Sequence, residues 1–159
     1  MNTSTAFVRA LVAYSVHEHQ LGSAKRINLF LKSRSCTLED DGRGIGLDRE
    51  GYVASLLEQL AARRGEVALR GIGLPIIALS SPLLTIEARR SGRVSSQTYS
   101  WGIANGPVRS EPLDGPAETR VTFTLPSDAP QIDERDVLAQ VEVWRTAHPN
   151  LSIDVHVVG

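Results

Sequence analysis

Several short runs of this chain alternate apolar and polar residues strictly. They include Ile27, Leu29 and Leu31; then Cys36 and Leu38; then Val121, Phe123 and Leu125; and finally Leu151, Ile153, Val155 and Val157. Successive side chains of a strand point to opposite faces, so such strands bury one face only. A sheet built from them needs a single covering layer. Two segments with helical spacing can supply it. Phe7 to Gln20 places Phe7, Leu11 and Tyr14 on one stripe, with Thr3 or Ser4 as a cap and Gly22-Ser23 as a stop. Ile132 to Ala147 places Val137, Val141 and Trp144 on another, stopped by Pro149. Two further helices are expected, one from Asp48 to about Ala62 and a short one from Leu74 to Ser80 with Pro75 in its first turn.

Two hairpins are also legible. The first joins the Ile27 and Cys36 runs through the polar turn Lys32-Ser33-Arg34-Ser35. The second joins Leu83–Arg89 to Arg93–Trp101 at Ser91-Gly92. Residues 102–118 have little periodicity and read as a loop. The order α-β-β-α-α-β-β-β-α-β implies a two-layer α/β sandwich. Its sheet is mixed but mostly antiparallel, and helices cover one face. With 159 residues, 42% of them hydrophobic, one domain spanning 1–159 is expected.

Composition narrows the chemistry. A formal net charge of −1 gives no electrostatic footprint for nucleic acid. No run approaches the ~20 apolar residues of a membrane span, and Met1 to Thr5 lacks a signal-peptide pattern. A cytoplasmic protein is expected. The single cysteine, Cys36, permits no intramolecular disulfide and reads as a small buried apolar residue. The four histidines show no metal-ligand spacing.

Two glycine loops carry the chemical signal. Asp40-Asp41-Gly42-Arg43-Gly44-Ile45-Gly46 follows the first hairpin directly. Alternate glycines let the backbone bend sharply and approach a ligand. A carboxylate at the strand end can accept a hydrogen bond from an exocyclic amine, and so selects adenine over guanine at that edge. The second loop, Arg70-Gly71-Ile72-Gly73, precedes a helix whose backbone amides can meet phosphate, with Arg70 adding charge. Neither loop is a Walker motif, and neither sits inside a βαβ unit.

Taken together, these residues resemble the GHKL superfamily of gyrase B, histidine kinases, MutL and heat-shock chaperones. Asp40-Asp41-Gly42-Arg43-Gly44 is similar to its first conserved box and Arg70-Gly71-Ile72-Gly73-Leu74 to its second glycine box. Thr119-Arg120-Val121-Thr122-Phe123 is similar to its late strand. The boxes occur in family order, and the helix and strand after Pro130 resemble the tail of type IIB topoisomerase ATPase domains. The resemblance implies a Bergerat-type fold that takes ATP or ADP. Asp40 would accept from the adenine amino group, with Thr119 supporting it directly or through water. Gly42 and Gly44 would pass the base and sugar, and Arg70, Gly71 and Gly73 would meet the phosphates. Arg43 reads as surface charge.

The same resemblance exposes a departure. The family's first helix carries Glu-x-x-x-Asn, the water-polarising base and the magnesium ligand. A gyrase-like register puts Ala10 and Tyr14 there; a MutL-like register puts Tyr14 and Glu18 there. Neither supplies a glutamate as base, and Glu18 reads as an exposed helix-end residue. The 65–70 loop is short for an ATP lid, and neither a transducer lysine nor a phosphoacceptor helix is expected. The implied function is a regulatory adenine-nucleotide-binding domain with impaired or absent hydrolysis, no catalytic residue, a doubtful magnesium and an unidentified protein partner. Two alternatives are a nucleotide-free interaction module and an ATPase or kinase completed by a second chain.

Overall fold

The structure is a computed structural model, and it describes residues 1–44 and 73–158. The chain enters through helix α1 (Thr3–Gln20) and forms a hairpin, β1 (Arg26–Leu31) and β2 (Ser35–Asp40). After the short helix α2 (Gly73–Leu79) comes a second hairpin, β3 (Leu83–Arg90) and β4 (Arg93–Ser100). Then follow β5 (Ile103–Ala104), β6 (Arg109–Pro112), β7 (Glu118–Thr124), helix α3 (Glu134–Ala147) and β8 (Ser152–Val157). The expected helix from Asp48 to Ala62, and Arg70 and Gly71 of the second glycine loop, lie outside the described residues.

The described strands form one sheet in the order β5-β4-β3-β7-β2-β1-β8, with β6 also pairing β4. Every pairing among them is antiparallel except β1 with β8. This is the mixed, mostly antiparallel sheet that the alternation predicts. Its inner face carries Ile27, Leu29, Leu31, Cys36, Leu38, Leu84, Ile86, Val121 and Phe123, all fully buried. Helix α1 covers it with Val8, Leu11, Val12 and Val16, while α2 and α3 pack against α1. Cys36 is an inert core residue, since burial pushes its thiol far above the usual range. The other face stays polar. Arg120 there reaches Glu39 at 2.9 Å and Glu87 at 3.8 Å. A groove of about 570 Å³ on that face is lined by Thr85, Glu87, Ser96 and Arg109 among others, and none of the residues lining it belongs to either glycine loop.

Three local expectations need correction. Helix α1 is capped by Asn2, whose side chain accepts from the Thr5 amide at 2.8 Å, not by Thr3 or Ser4. The hydroxyls of Ser4 and Thr5 serve a distant segment instead: Ser4 donates to the Pro130 carbonyl, and Thr5 accepts from the Asp133 amide at 2.8 Å. The buried stripe of α1 runs through Val8, Leu11, Val12 and Ser15, leaving Phe7 and Tyr14 only partly buried at its flank. Finally, residues 102–118 are not all loop. β5 and β6 both extend the sheet beyond β4, and they are too short and too exposed to show an alternation. The second hairpin does turn at Ser91-Gly92. Both residues have positive φ (55° and 72°), as a right-twisted two-residue turn requires.

Candidate functional site

The alternation of β2 puts Cys36, Leu38 and Asp40 on the inner face, so the last residue of the strand is a carboxylate buried among apolar neighbours. Register places Ile27, Asp40, Thr119 and Ala88 in one row across β1, β2, β7 and β3. Asp40 and Thr119 are direct cross-strand partners, so their side chains share a face, and they are 3% and 2% exposed. This row forms a polar end of a largely apolar face, on which Gln97 of β4 is also buried.

Both carboxylate oxygens of Asp40 are engaged. The Gly42 amide donates to Oδ1 at 3.0 Å, closing a turn over the strand end, and the Ser15 hydroxyl donates to Oδ2 at 2.6 Å. Ser15 is fully buried on α1, four residues after Leu11. Burial raises the Asp40 carboxyl above the usual carboxylate range. The bonds from Ser15 and Gly42 pull it down, and the nearby charges of Glu18 and Asp41 push it up.

The neighbouring acid, Asp41, has a different task. Its Oδ1 accepts from the Lys25 and Arg26 amides at 2.7 and 2.8 Å, tying the glycine loop to the start of β1. The glycines owe their identity to close packing. At Gly44, with φ 81°, an added Cβ would lie 2.6 Å from the Arg89 carbonyl oxygen. At Gly42 it would lie 2.9 Å from the Ser23 hydroxyl and 3.0 Å from Asp40 Oδ1. The loop thus runs pressed between the residues that follow α1, strand β3 and the buried carboxylate.

Glu18 is not exposed. It is buried near the end of α1, and its oxygens accept from Arg43 Nε and Nη2 at 3.1 and 3.2 Å. Arg43 is therefore a tethered side chain as well as a surface charge: 64% of it is open to solvent while its head clamps a buried acid. The Arg43 amide also donates to the Ser23 hydroxyl at 2.8 Å. A bidentate guanidinium leaves the Glu18 carboxylate largely committed. Ala10 and Tyr14, the other first-helix candidates, are partly buried and supply no carboxylate.

Of the residues named from sequence, Asp40, Gly42, Gly44 and Thr119 come together at this end of the sheet, and Gly73 opens α2, which packs against α1. Ser15, Ser23 and the inward face of Glu18 are not signalled by the glycine motifs. The observed stripe of α1 does signal Ser15 and Glu18, because residues 8, 11, 12, 15 and 18 fall along one helical face. Among the described residues no group of three or more His, Cys, Asp or Glu could hold a metal ion, and no helix is long and apolar enough to cross a membrane.

No family model matches the chain. It is 29% identical over 135 residues to the DNA gyrase B protein of Borrelia hermsii, an alignment covering 76% of this chain and 21% of that protein. Against the gyrase B protein of Borreliella burgdorferi it is 27% identical with the same coverage. The chain thus spans about a fifth of the length of these curated relatives. Among solved structures, the 43K ATPase domain of Thermus thermophilus gyrase B, crystallised with an aminocoumarin, superposes with a TM-score of 0.81 at 23% identity. That match covers 96% of this chain and 42% of the other.

Proposed function

We propose that this chain, which has the fold of the GHKL ATP-binding domains and is similar in sequence to gyrase B, binds an adenine nucleotide without turning it over efficiently. One observation carries the reading. Asp40 is a buried carboxylate held at a strand end by two neutral donors, beside the glycine loop and directly across from Thr119. Burying a carboxylate is costly, and its retention is explained if a ligand amine completes its hydrogen bonds. The adenine 6-amino group is such a donor.

On this reading Asp40 and Thr119 hold the base, Gly42 and Gly44 shape the wall, and Arg70, Gly71 and Gly73 meet the phosphates. Hydrolysis needs a positioned water and charge stabilisation at the γ-phosphate. Ala10 and Tyr14 supply neither, and Glu18 is clamped by Arg43. A magnesium-coordinating residue on α1 is missing for the same reason, so affinity should come mainly from the base and depend little on magnesium. The role that follows is regulatory, as a nucleotide-responsive partner for another protein.

Paired calorimetric titrations of ATP and ADP, with and without magnesium, test this on the wild type and on Asp40→Ala. Binding of both nucleotides by the wild type, lost in the variant, is the expected result. No binding to either protein would favour a nucleotide-free interaction module. Strong magnesium-dependent preference for ATP would mean that a metal site exists after all.

A further inference from the structure

Ionised, Asp40 offers an amine acceptor oxygens alone; protonated, it keeps one acceptor and turns the other oxygen into a donor, and its surroundings press it toward the protonated form. Burial disfavours the charge, and the carboxylates of Glu18 on α1 and Asp41 beside it add repulsion. The other residues of its row, Ile27, Thr119 and Ala88, carry no charge. Arg43, the cation nearest in sequence, is bound to Glu18. Two donors act in the opposite sense: the Gly42 amide, a backbone group, and the Ser15 hydroxyl at 2.6 Å. Of these two, only the Ser15 hydroxyl is a side-chain donor.

The protonation state of Asp40 has a chemical consequence for the ligand. An ionised carboxylate only accepts, so it pairs with the 6-amino group of adenine and opposes the 6-carbonyl of guanine or hypoxanthine. A protonated carboxyl donates, and so pairs with that carbonyl. We infer that Ser15 is a positioning residue that sets the purine preference of this site, by holding Asp40 as an acceptor for 6-amino purines and against 6-oxo purines. The inference rests on the nucleotide reading above and adds to it a determinant on α1.

Two measurements on the intact chain separate this inference from that reading. The first follows the Asp40 carboxyl through its titration by carbon NMR, without nucleotide, in the wild type, in the near-isosteric Ser15→Ala and in Ser15→Thr, which keeps the hydroxyl. Titration at higher pH in Ser15→Ala, and close to wild type in Ser15→Thr, is expected. The second compares ATP with inosine triphosphate binding in the same proteins from mildly acidic to neutral pH. The wild type should prefer ATP. In Ser15→Ala that preference should fall about tenfold, the scale of one hydrogen bond to a charged group, and most strongly on the acid side. An unchanged carboxyl titration, or an unchanged preference with ATP binding intact, would overturn the role of Ser15 alone. If the wild type binds neither nucleotide, the purine preference falls together with the nucleotide reading, while the carboxyl titration still decides whether Ser15 controls Asp40.

Discussion

An ionised Asp40 in a nearly closed environment costs the fold stability, and the direction of the pH dependence follows from its raised carboxyl. Between the ordinary aspartate range and the higher folded value, the native state binds more protons than the unfolded chain. Stability therefore falls as pH rises through that interval and stays lower at neutral pH. Asp40→Asn removes the charge while its carbonyl can keep the Gly42 bond and its NH2 can donate to the Ser15 oxygen. It should be more stable than the wild type at neutral pH, by a margin that shrinks on acidification, while losing ATP binding. Thermal melts across pH check this, and a difference independent of pH would refute it. Gly44 makes the second residue-scale prediction. Alanine there would sit at φ 81° with its Cβ 2.6 Å from a backbone carbonyl that cannot swing away. The expected loss is about 1–3 kcal/mol, read by urea unfolding. A neutral Gly44→Ala would mean that the loop does not press on β3. Both positions were legible in the sequence as an acidic residue followed by alternate glycines, but not the reason for each. Which aspartate faces inward and which ties down β1 depends on register, and the glycine spacing reflects neighbours such as Ser23 and the β3 backbone.

At the scale of elements, α1 connects the site to the rest of the core. It carries Ser15 and Glu18, and its first turn is bound to the segment before α3: Asn2 donates to the Gln131 carbonyl at 2.7 Å, Ser4 to Pro130, and Thr5 accepts from Asp133. Further along, Arg9 reaches Asp136 and Gln140 on α3. Asn2→Ala removes both the cap and one of these ties. It should cost about 0.5–2 kcal/mol in denaturant unfolding. Because it lies at the far end of α1 from Glu18, it should leave nucleotide affinity unchanged; a weaker affinity would show that the helix shifts as a unit on the sheet. The edge strand β8 depends on a comparable contact from a helix. Arg145 of α3 donates to the Ile153 carbonyl, occupying a backbone acceptor that an outer strand would otherwise leave open. Arg145→Ala should raise self-association at a given concentration, measured by light scattering, with little change in the melting temperature.

For the whole molecule, the prediction concerns turnover. None of the first-helix candidates supplies a free carboxylate: Ala10 and Tyr14 have none, and the one belonging to Glu18 is held by Arg43. Purified protein with ATP and magnesium should release phosphate at the background rate. Steady release that Asp40→Asn abolishes would show that a base comes from elsewhere, in this chain or a second one. Among the described residues, the molecule joins a largely apolar face, a covering helix layer and a row in which buried Asp40 and Thr119 stand side by side.

The alternation of the strands and the presence of two amphipathic helices were enough to specify a one-sided sheet under helices, because both depend on periods of about 2 or 3.6 residues that belong to the local backbone, although the stripe of α1 lies one position off the expected one. Asp40 with its alternate glycines was legible as residue types in order, and Thr119 through the family resemblance. What only the tertiary structure decided involves partners far apart in sequence. Asp40 meets Thr119 across β2 and β7. Ser15 donates to a carboxylate 25 residues away. Glu18 turns inward because Arg43 of the glycine loop is there to neutralise it, and β5 and β6 join the sheet because β4 offers them an edge. A side chain's burial and charge state depend on what surrounds it, and these surroundings are assembled only when the sheet closes its register.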